Sequence, residues 1–225
     1  MHIKDTFEVP YFPKTVVEAV REKLVFLIGF FRNPVAMGSI FPSSFALTNK
    51  LVRPIKTSPG TLGRRYLEVG AGTGAVTESM VKKLSKADHL DVVEIDPTLC
   101  EILRKKFGHY QNVRIIQASV LDLSETPYDG IISSLPFNQF DAKFVQQVFD
   151  KYKKMMKESS FLTYYEYKYP RFLAKFFLER NQRLEEIRKL KKEVGVSLKE
   201  KKESVWFNLP PANVRFLTNK ETNLL

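Results

Sequence analysis

Residues 65–77 read RYLEVGAGTGAVT, a short strand-forming run that breaks on three glycines spaced two apart and then continues in helix-forming residues. A glycine-rich turn of this kind leaves the backbone bare, so a nucleotide-like ligand can approach it closely. The N–H groups that open the following helix favour a negative group on that ligand. Strand, glycine turn and helix in that order form the first unit of a sheet whose strands are joined by crossover helices.

The same alternation continues outward from this stretch. LDVVEI (90–95), VRIIQ (113–117), GIISS (130–134) and FLTYYE (161–166) read as further strands. Helical spacing falls between them at about 75–86, 97–107 and 141–157. VWFN (205–208) and VRFL (214–217), joined through LPPAN, read as a closing antiparallel pair. The expected fold is α/β, with a mostly parallel seven-stranded sheet covered by helices on both faces. Upstream, residues 14–32 carry Val16, Val20, Leu24, Leu27, Ile28 and Phe31 at helical spacing, and Ser43 and Ser44 open a second helix through about Leu51. Residues 1–62 therefore read as an N-terminal helical extension and residues 63–225 as the α/β domain. A long charged helix is expected at about 171–193, within an insertion-like stretch reaching residue 203.

Composition narrows the function classes. A chain of 225 residues, 44% of them hydrophobic, can bury a substantial core. Its longest apolar run, LVFLIGFF at 24–31, is too short to cross a bilayer. The first twelve residues lack the apolar centre of a signal peptide, and Cys100 is the single cysteine, so a cytoplasmic location is expected. His2, His89 and His109 show no ligand spacing, and no metal is expected. The net charge of +11 is uneven: both flanks are basic and the middle is acidic. Basic flanks suit an anionic partner, either nucleic acid or an anionic membrane surface.

Two acids bear on the ligand. Gly70, Gly72 and Ala75 fit the dinucleotide fingerprint, with Glu94 as the later acid that accepts from ribose hydroxyls. Glu68 favours a different ligand. A carboxylate just before the glycine turn suits a ligand bearing an ammonium group, such as S-adenosylmethionine, and suits a pyrophosphate badly.

LEVGAGTGAVT, VVEID and the strand running into SLPF (134–137) together resemble the Rossmann-like class I methyltransferases, in the group that contains ribosomal RNA adenine dimethylases and bacterial phospholipid N-methyltransferases. NPVAMGSIFPSSFAL (33–47) and VWFNLPPANV (205–214) resemble the end segments of the phospholipid enzymes. The resemblance implies that Glu68, Gly70, Ala71, Gly72 and Gly74 hold the methionine end of S-adenosylmethionine and that Glu94 and Ile95 hold its ribose. Ala118-Ser119 replaces the family's usual Gly-Asp pair, so Ser119 with Val120, or Asp122, would meet the adenine. Ser134 stands where RNA dimethylases have asparagine.

The amine site implied by this resemblance uses backbone carbonyls at Ser134 and Leu135, with Ser134 also touching the cofactor. Tyr164 and Tyr167 would offer aromatic faces to a methylated cation. The expected activity is methylation of phosphatidylethanolamine toward phosphatidylcholine at the inner face of the cytoplasmic membrane. Two other substrates remain open, an adenine in ribosomal RNA and another aminolipid such as an ornithine lipid. A nicotinamide enzyme, or a cofactor-binding protein without catalysis, fits Glu68 and SLPF least.

Overall fold

A computed structural model describes residues 45–55, 63–137, 140–167, 189, 198–206 and 211–218. The expected helix at 14–32, most of the charged helix at 171–193 and the Ser43–Ser44 cap lie outside the described residues. The elements are α1 (Phe45–Leu51), β1 (Arg65–Val69), α2 (Ala75–Val81), β2 (His89–Glu94), α3 (Pro97–Phe107), β3 (Val113–Gln117), a 3-10 turn (Val120–Asp122), β4 (Tyr128–Ser133), α4 (Ala142–Met155), β5 (Met156–Tyr167), β6 (Lys199–Val205) and β7 (Ala212–Thr218).

The strands form one seven-stranded sheet in the order β3-β2-β1-β4-β5-β7-β6. The pairs β1–β2, β1–β4, β2–β3 and β4–β5 are parallel, and β7 runs antiparallel to both β5 and β6. The chain order reverses between β1 and β4, which opens a crevice at the carboxyl ends of those strands. Ligands of open α/β sheets bind in such a crevice.

Alternation along the strands buries both faces. Leu67, Val69, Val93, Ile131 and Leu162 face α4, which contributes Phe144, Val145, Val148, Phe149 and Tyr152. Tyr66, Leu90, Val92, Ile132 and Phe216 face α1, α2 and α3, through Leu47, Leu51, Val76, Met80, Leu103 and Phe107. The helix α1 thus packs into the same core as the sheet, although it falls within the stretch read from sequence as an extension. Arg53, just past α1, grips Glu203 of β6 with two hydrogen bonds of 2.9 and 2.7 Å. Its guanidinium also lies 4.8 Å from the centre of the Phe216 ring. At the amino end of the sheet, Asp91 accepts from Tyr128 Oη at 2.7 Å, Arg114 Nε at 2.8 Å and Arg65 Nη2 at 3.2 Å.

Several boundaries differ from the sequence reading. The α2 helix stops at Val81 because a turn closed by Asp88, which accepts from the Ser85 N–H at 2.8 Å, replaces its last residues. The β5 strand follows α4 without a connector and starts at Met156, with a register shift against β4 between Tyr128 and Gly130. The closing pair is antiparallel as expected, but β6 is Lys199–Val205, upstream of the expected 205–208. Its KEKKE run carries the charge pattern of a helix insertion in sequence. It forms a strand at the end of the sheet order, where alternating charges suit an edge.

Gly130 sits where β4 crosses the Phe161 ring, and an added Cβ would meet that ring at 2.3 Å. Gly130→Ala is expected to destabilise the protein by about 1–3 kcal/mol, as overpacked core sites do. An unchanged urea midpoint would show that the ring moves aside at no cost.

Candidate active site

A cleft lies at the carboxyl ends of the central strands. Val69 and Gly70 close it from β1, Val93, Glu94 and Ile95 from β2, and Ala118, Ser119 and Val120 from the end of β3. Ser134, Leu135 and Pro136, following β4, and Phe144 of α4 complete the lining. Its position at the point where the strand order reverses, and its mainly apolar lining with a few polar groups, suit a nucleoside-like ligand.

The glycine loop is held from below. The Gly70 and Ala71 N–H groups donate to the Val93 carbonyl at 2.9 and 3.4 Å. A Cβ on Gly70 would stand 3.0 Å from Leu135 Cδ2, so that glycine lets the loop pack against the turn after β4. Gly72 has φ +58 and nothing within 4 Å of an added Cβ. It is thus required for conformation and leaves open space beside the loop. Ala71, Gly72 and Gly74 shape the loop without lining the cavity; Gly74 packs against Phe107.

Glu94 is the loop's brace. Its Oε2 accepts from the Gly72 N–H at 2.8 Å, and its Oε1 from Ile95 and Asp96 at 2.7 and 3.0 Å. Three of a carboxylate's roughly four acceptor positions are filled, which leaves Oε2 room for a ribose hydroxyl. The neighbouring Asp96 caps α3, accepting from Thr98 and Leu99.

Glu68 is fully buried, and neither of its carboxylate oxygens has a hydrogen-bond partner. Burial is the main reason its carboxyl is pushed up to about 8, and the nearby charge of Glu94 adds to this. The Thr77 hydroxyl and N–H pull in the other direction, but they are proximal rather than bonded: Thr77 Oγ1 is itself unpartnered. An unpartnered buried carboxylate costs free energy unless a cation reaches it. Glu68 lies under the loop beside Thr77 and does not itself line the cleft; an ammonium of S-adenosylmethionine reaching it past the loop would supply that cation. The residues present therefore fit this cofactor.

The turn after β4 is fixed from within. Ser134 N–H donates to the Val69 carbonyl at 2.8 Å, and the Phe137 N–H to the Leu135 carbonyl at 2.9 Å. The Leu135 carbonyl, read from sequence as a substrate acceptor, therefore already accepts one bond. Ser134 Oγ is buried and unpartnered. Ser133 Oγ accepts from the buried Tyr152 hydroxyl at 2.9 Å and from the Leu135 N–H at 3.4 Å. Ser133, Tyr152, Thr77 and Phe144 were not legible as site residues; only the apolar stripe of the 141–157 helix hinted at the last.

Of the two adenine candidates, Ser119 lines the cavity while Asp122 is exposed and does not. Ser119 Oγ also accepts from the Leu121 N–H at 3.3 Å, capping the 3-10 turn. The tyrosines separate. Tyr164 is 1% exposed, with its ring edge-on to Phe137 and Phe149, both at 5.4 Å between centroids. Tyr167 lies on the other face of the sheet, beside Tyr165. The two cannot form one aromatic wall, because three residues apart on a strand means opposite faces.

The ribosomal RNA adenine dimethylase family model matches residues 43–195. An ornithine lipid N-methyltransferase of Singulisphaera acidiphila is 28% identical over 170 residues, which cover 71% of this chain and 87% of that protein. A ribosomal RNA small subunit methyltransferase A of Mycoplasma capricolum is 39% identical over 108 residues, 44% of this chain and 38% of that protein. The match to the RNA enzyme thus spans well under half its length. Among solved structures, the N-methyltransferase NodS from Bradyrhizobium japonicum, in complex with S-adenosyl-l-homocysteine, is similar in fold. Its TM-score is 0.61 at 11% identity, covering 88% of this chain and 99% of that one. Glycine loop, braced Glu94 and family match agree: the chain belongs to the ribosomal RNA adenine dimethylase family and is a Rossmann-like class I N-methyltransferase dependent on S-adenosylmethionine.

Proposed function

We propose that this protein methylates the primary amine of a membrane aminolipid, phosphatidylethanolamine or the chemically similar ornithine lipid, while peripheral on the cytoplasmic face of the membrane. The extent of similarity carries this reading over RNA: the match spans 87% of the ornithine lipid enzyme but 38% of the Mycoplasma capricolum RNA enzyme. A base taken out of its stack is held between aromatic or apolar faces. Phe137, the aromatic of the SLPF turn, is 1% exposed; one side stacks on Phe149 at 5.0 Å and its edge meets Tyr164 at 5.4 Å. Its ring is engaged in the core, and the apolar wall of the cleft comes from Leu135, Pro136 and Phe144. Such a wall accepts the alkyl part of an amine, and Phe137 presents no free face to a base.

When bound, S-adenosylmethionine supplies a methyl group on a sulfonium sulfur, open to in-line attack by a nitrogen lone pair. The chain's own task is to position that nitrogen and keep it neutral. An alkylamine with a pKa near ~10 is mostly protonated in water at neutral pH. Val69, Val120, Leu135 and Phe144 make the cavity partly dry, which disfavours the charged form. The Ser134 and Leu135 carbonyls and Ser134 Oγ are the polar groups at hand to orient the amine's N–H bonds.

The test offers methyl-labelled S-adenosylmethionine to the full chain with phosphatidylethanolamine vesicles, ornithine lipid vesicles and ribosomal RNA in separate reactions. Label is expected in a lipid. Label in RNA alone would overturn the reading. On the lipid that accepts label, Ser134→Ala is expected to keep kcat within about threefold, while Pro136→Gly loses about tenfold or more because the turn is freed. A dead Ser134→Ala beside an unimpaired Pro136→Gly would make the side chain, not the backbone, the orienting group.

A further inference from the structure

We propose that the rim formed by the carboxyl end of β5 and the adjoining ends of β6 and β7 docks onto an anionic phospholipid bilayer, with Phe45 and Trp206 entering the interface. This rests on the aminolipid reading above, and it assigns the contact to a surface separate from the cofactor cavity.

Among the described residues three large apolar side chains are exposed: Phe45 at 76%, Trp206 at 68% and Tyr110 at 38%. Single exposed apolar residues are ordinary. Here the two most exposed share one end of the sheet. Trp206 directly follows β6, whose last residue Val205 pairs with Ala212, and Ala212 pairs with Tyr167 at the end of β5. The placement of Phe45 follows from the direction of α1. The Val52 carbonyl, just past α1, accepts from Lys83 Nζ at 3.0 Å, beyond the far end of α2, whereas Lys50 Nζ reaches Glu203 at 3.3 Å and the Ser204 carbonyl at 3.2 Å, nearer the rim. Phe45, more than a helical turn further in the same direction, is therefore the rim-side end of α1.

This is the end of the sheet on which the cofactor cavity opens. A cation is present there too. Lys106 Nζ donates to the Thr73 carbonyl of the glycine loop at 2.8 Å on an exposed surface. An amphipathic Trp206 and an apolar Phe45, with the Lys106 ammonium at the same end of a chain of net charge +11, are the chemistry of a headgroup region. Docking this end would bring the mouth of the cavity to the depth at which lipid amines lie.

Trp206 is the single tryptophan of the chain, so its emission reports directly on this rim. The full chain would be mixed with phosphatidylcholine–phosphatidylglycerol vesicles, with and without acyl chains brominated near the headgroup. A blue shift and quenching by the brominated lipid are expected. Phe45→Ser and Trp206→Ser should each weaken vesicle sedimentation about tenfold, from the loss of one buried aromatic side chain. Trp206→Phe should retain sedimentation, and all three should bind S-adenosylmethionine normally. Raised salt should weaken sedimentation without abolishing it.

Emission that stays put while the protein sediments would overturn the proposal, since docking then uses another surface. So would a blue emission maximum before any lipid is added, which would mean that the protein itself or a second copy covers Trp206. Failure to sediment at all would overturn it as well. A short-chain, water-soluble aminolipid separates the two readings. Methylation of that soluble lipid, with no Trp206 shift when vesicles are added, defeats the docking surface alone, whereas a Trp206 shift on vesicles with no aminolipid methylated defeats the substrate reading alone.

Discussion

Glu68→Gln is expected to make the cofactor-free protein more stable at pH 8 and, in the same variant, to weaken S-adenosylmethionine binding. The carboxyl is held up to about 8 by burial, against an ordinary value of 4.5. Between those values the folded chain keeps a proton that the unfolded chain has released. The raised value therefore contributes stability that is complete below pH 4.5 and lost as pH climbs to about 8. Glutamine has no proton to lose, so the variant should show no such slope. Its advantage at pH 8 is on the order of 4 kcal/mol in the bookkeeping of linked protonation. The cost falls on the ligand. An ionised Glu68 paired with an ammonium group is a charge-assisted contact, and its loss should weaken binding roughly 10–100-fold. Affinity in the native protein should rise from pH 6 to 8 as the carboxyl ionises, and that rise should vanish in the variant. Calorimetry with chemical denaturation at three pH values tests both halves. A variant equal to the native protein in stability and affinity would remove Glu68 from the site.

Glu94→Ala should be the more damaging change, because the residue serves loop and ligand together. Removing the carboxylate strips acceptors from the N–H groups of Gly72, Ile95 and Asp96. Leaving such donors unmet costs about 1–3 kcal/mol each where water cannot reach them. Destabilisation of roughly 3 kcal/mol is expected, with a loss of S-adenosylmethionine affinity of at least about 100-fold. Glu94→Gln keeps one acceptor oxygen and should fall between the two. The measurement is cofactor titration beside a urea midpoint for each variant. An alanine variant of full affinity would mean that the ribose is held elsewhere.

Much of this was readable in the chain. The glycine loop, its flanking acids and the alternation of strand and helix follow from local chemistry, and local chemistry is what a sequence displays most directly. Gly70, Glu94, Ser119 and Ser134 line one cleft, with Glu68 buried under its glycine loop. What failed was anything decided by distant partners. The KEKKE run looks like a solvated helix until β7 supplies its ladder. Tyr164 and Tyr167 look like a pair until the pleat sends them to opposite faces. The double duty of Glu94 is also invisible in sequence, since its main partners are backbone N–H groups.

The clamp between Arg53 and Glu203 joins positions 150 residues apart, and this bears on how the protein is made. A ribosome emits α1 early and β6 and β7 late. Until those last strands emerge, the cluster around Leu47 and Leu51 lacks Val205, Ala212, Val214 and Phe216. The face that carries α1 must therefore wait, while the opposite face, built largely from β1, β4 and α4, can close sooner. Long-range closure of this kind slows folding and leaves apolar surface open in the meantime. The interval between the synthesis of α1 and that of β7 is thus when the nascent chain most needs a chaperone.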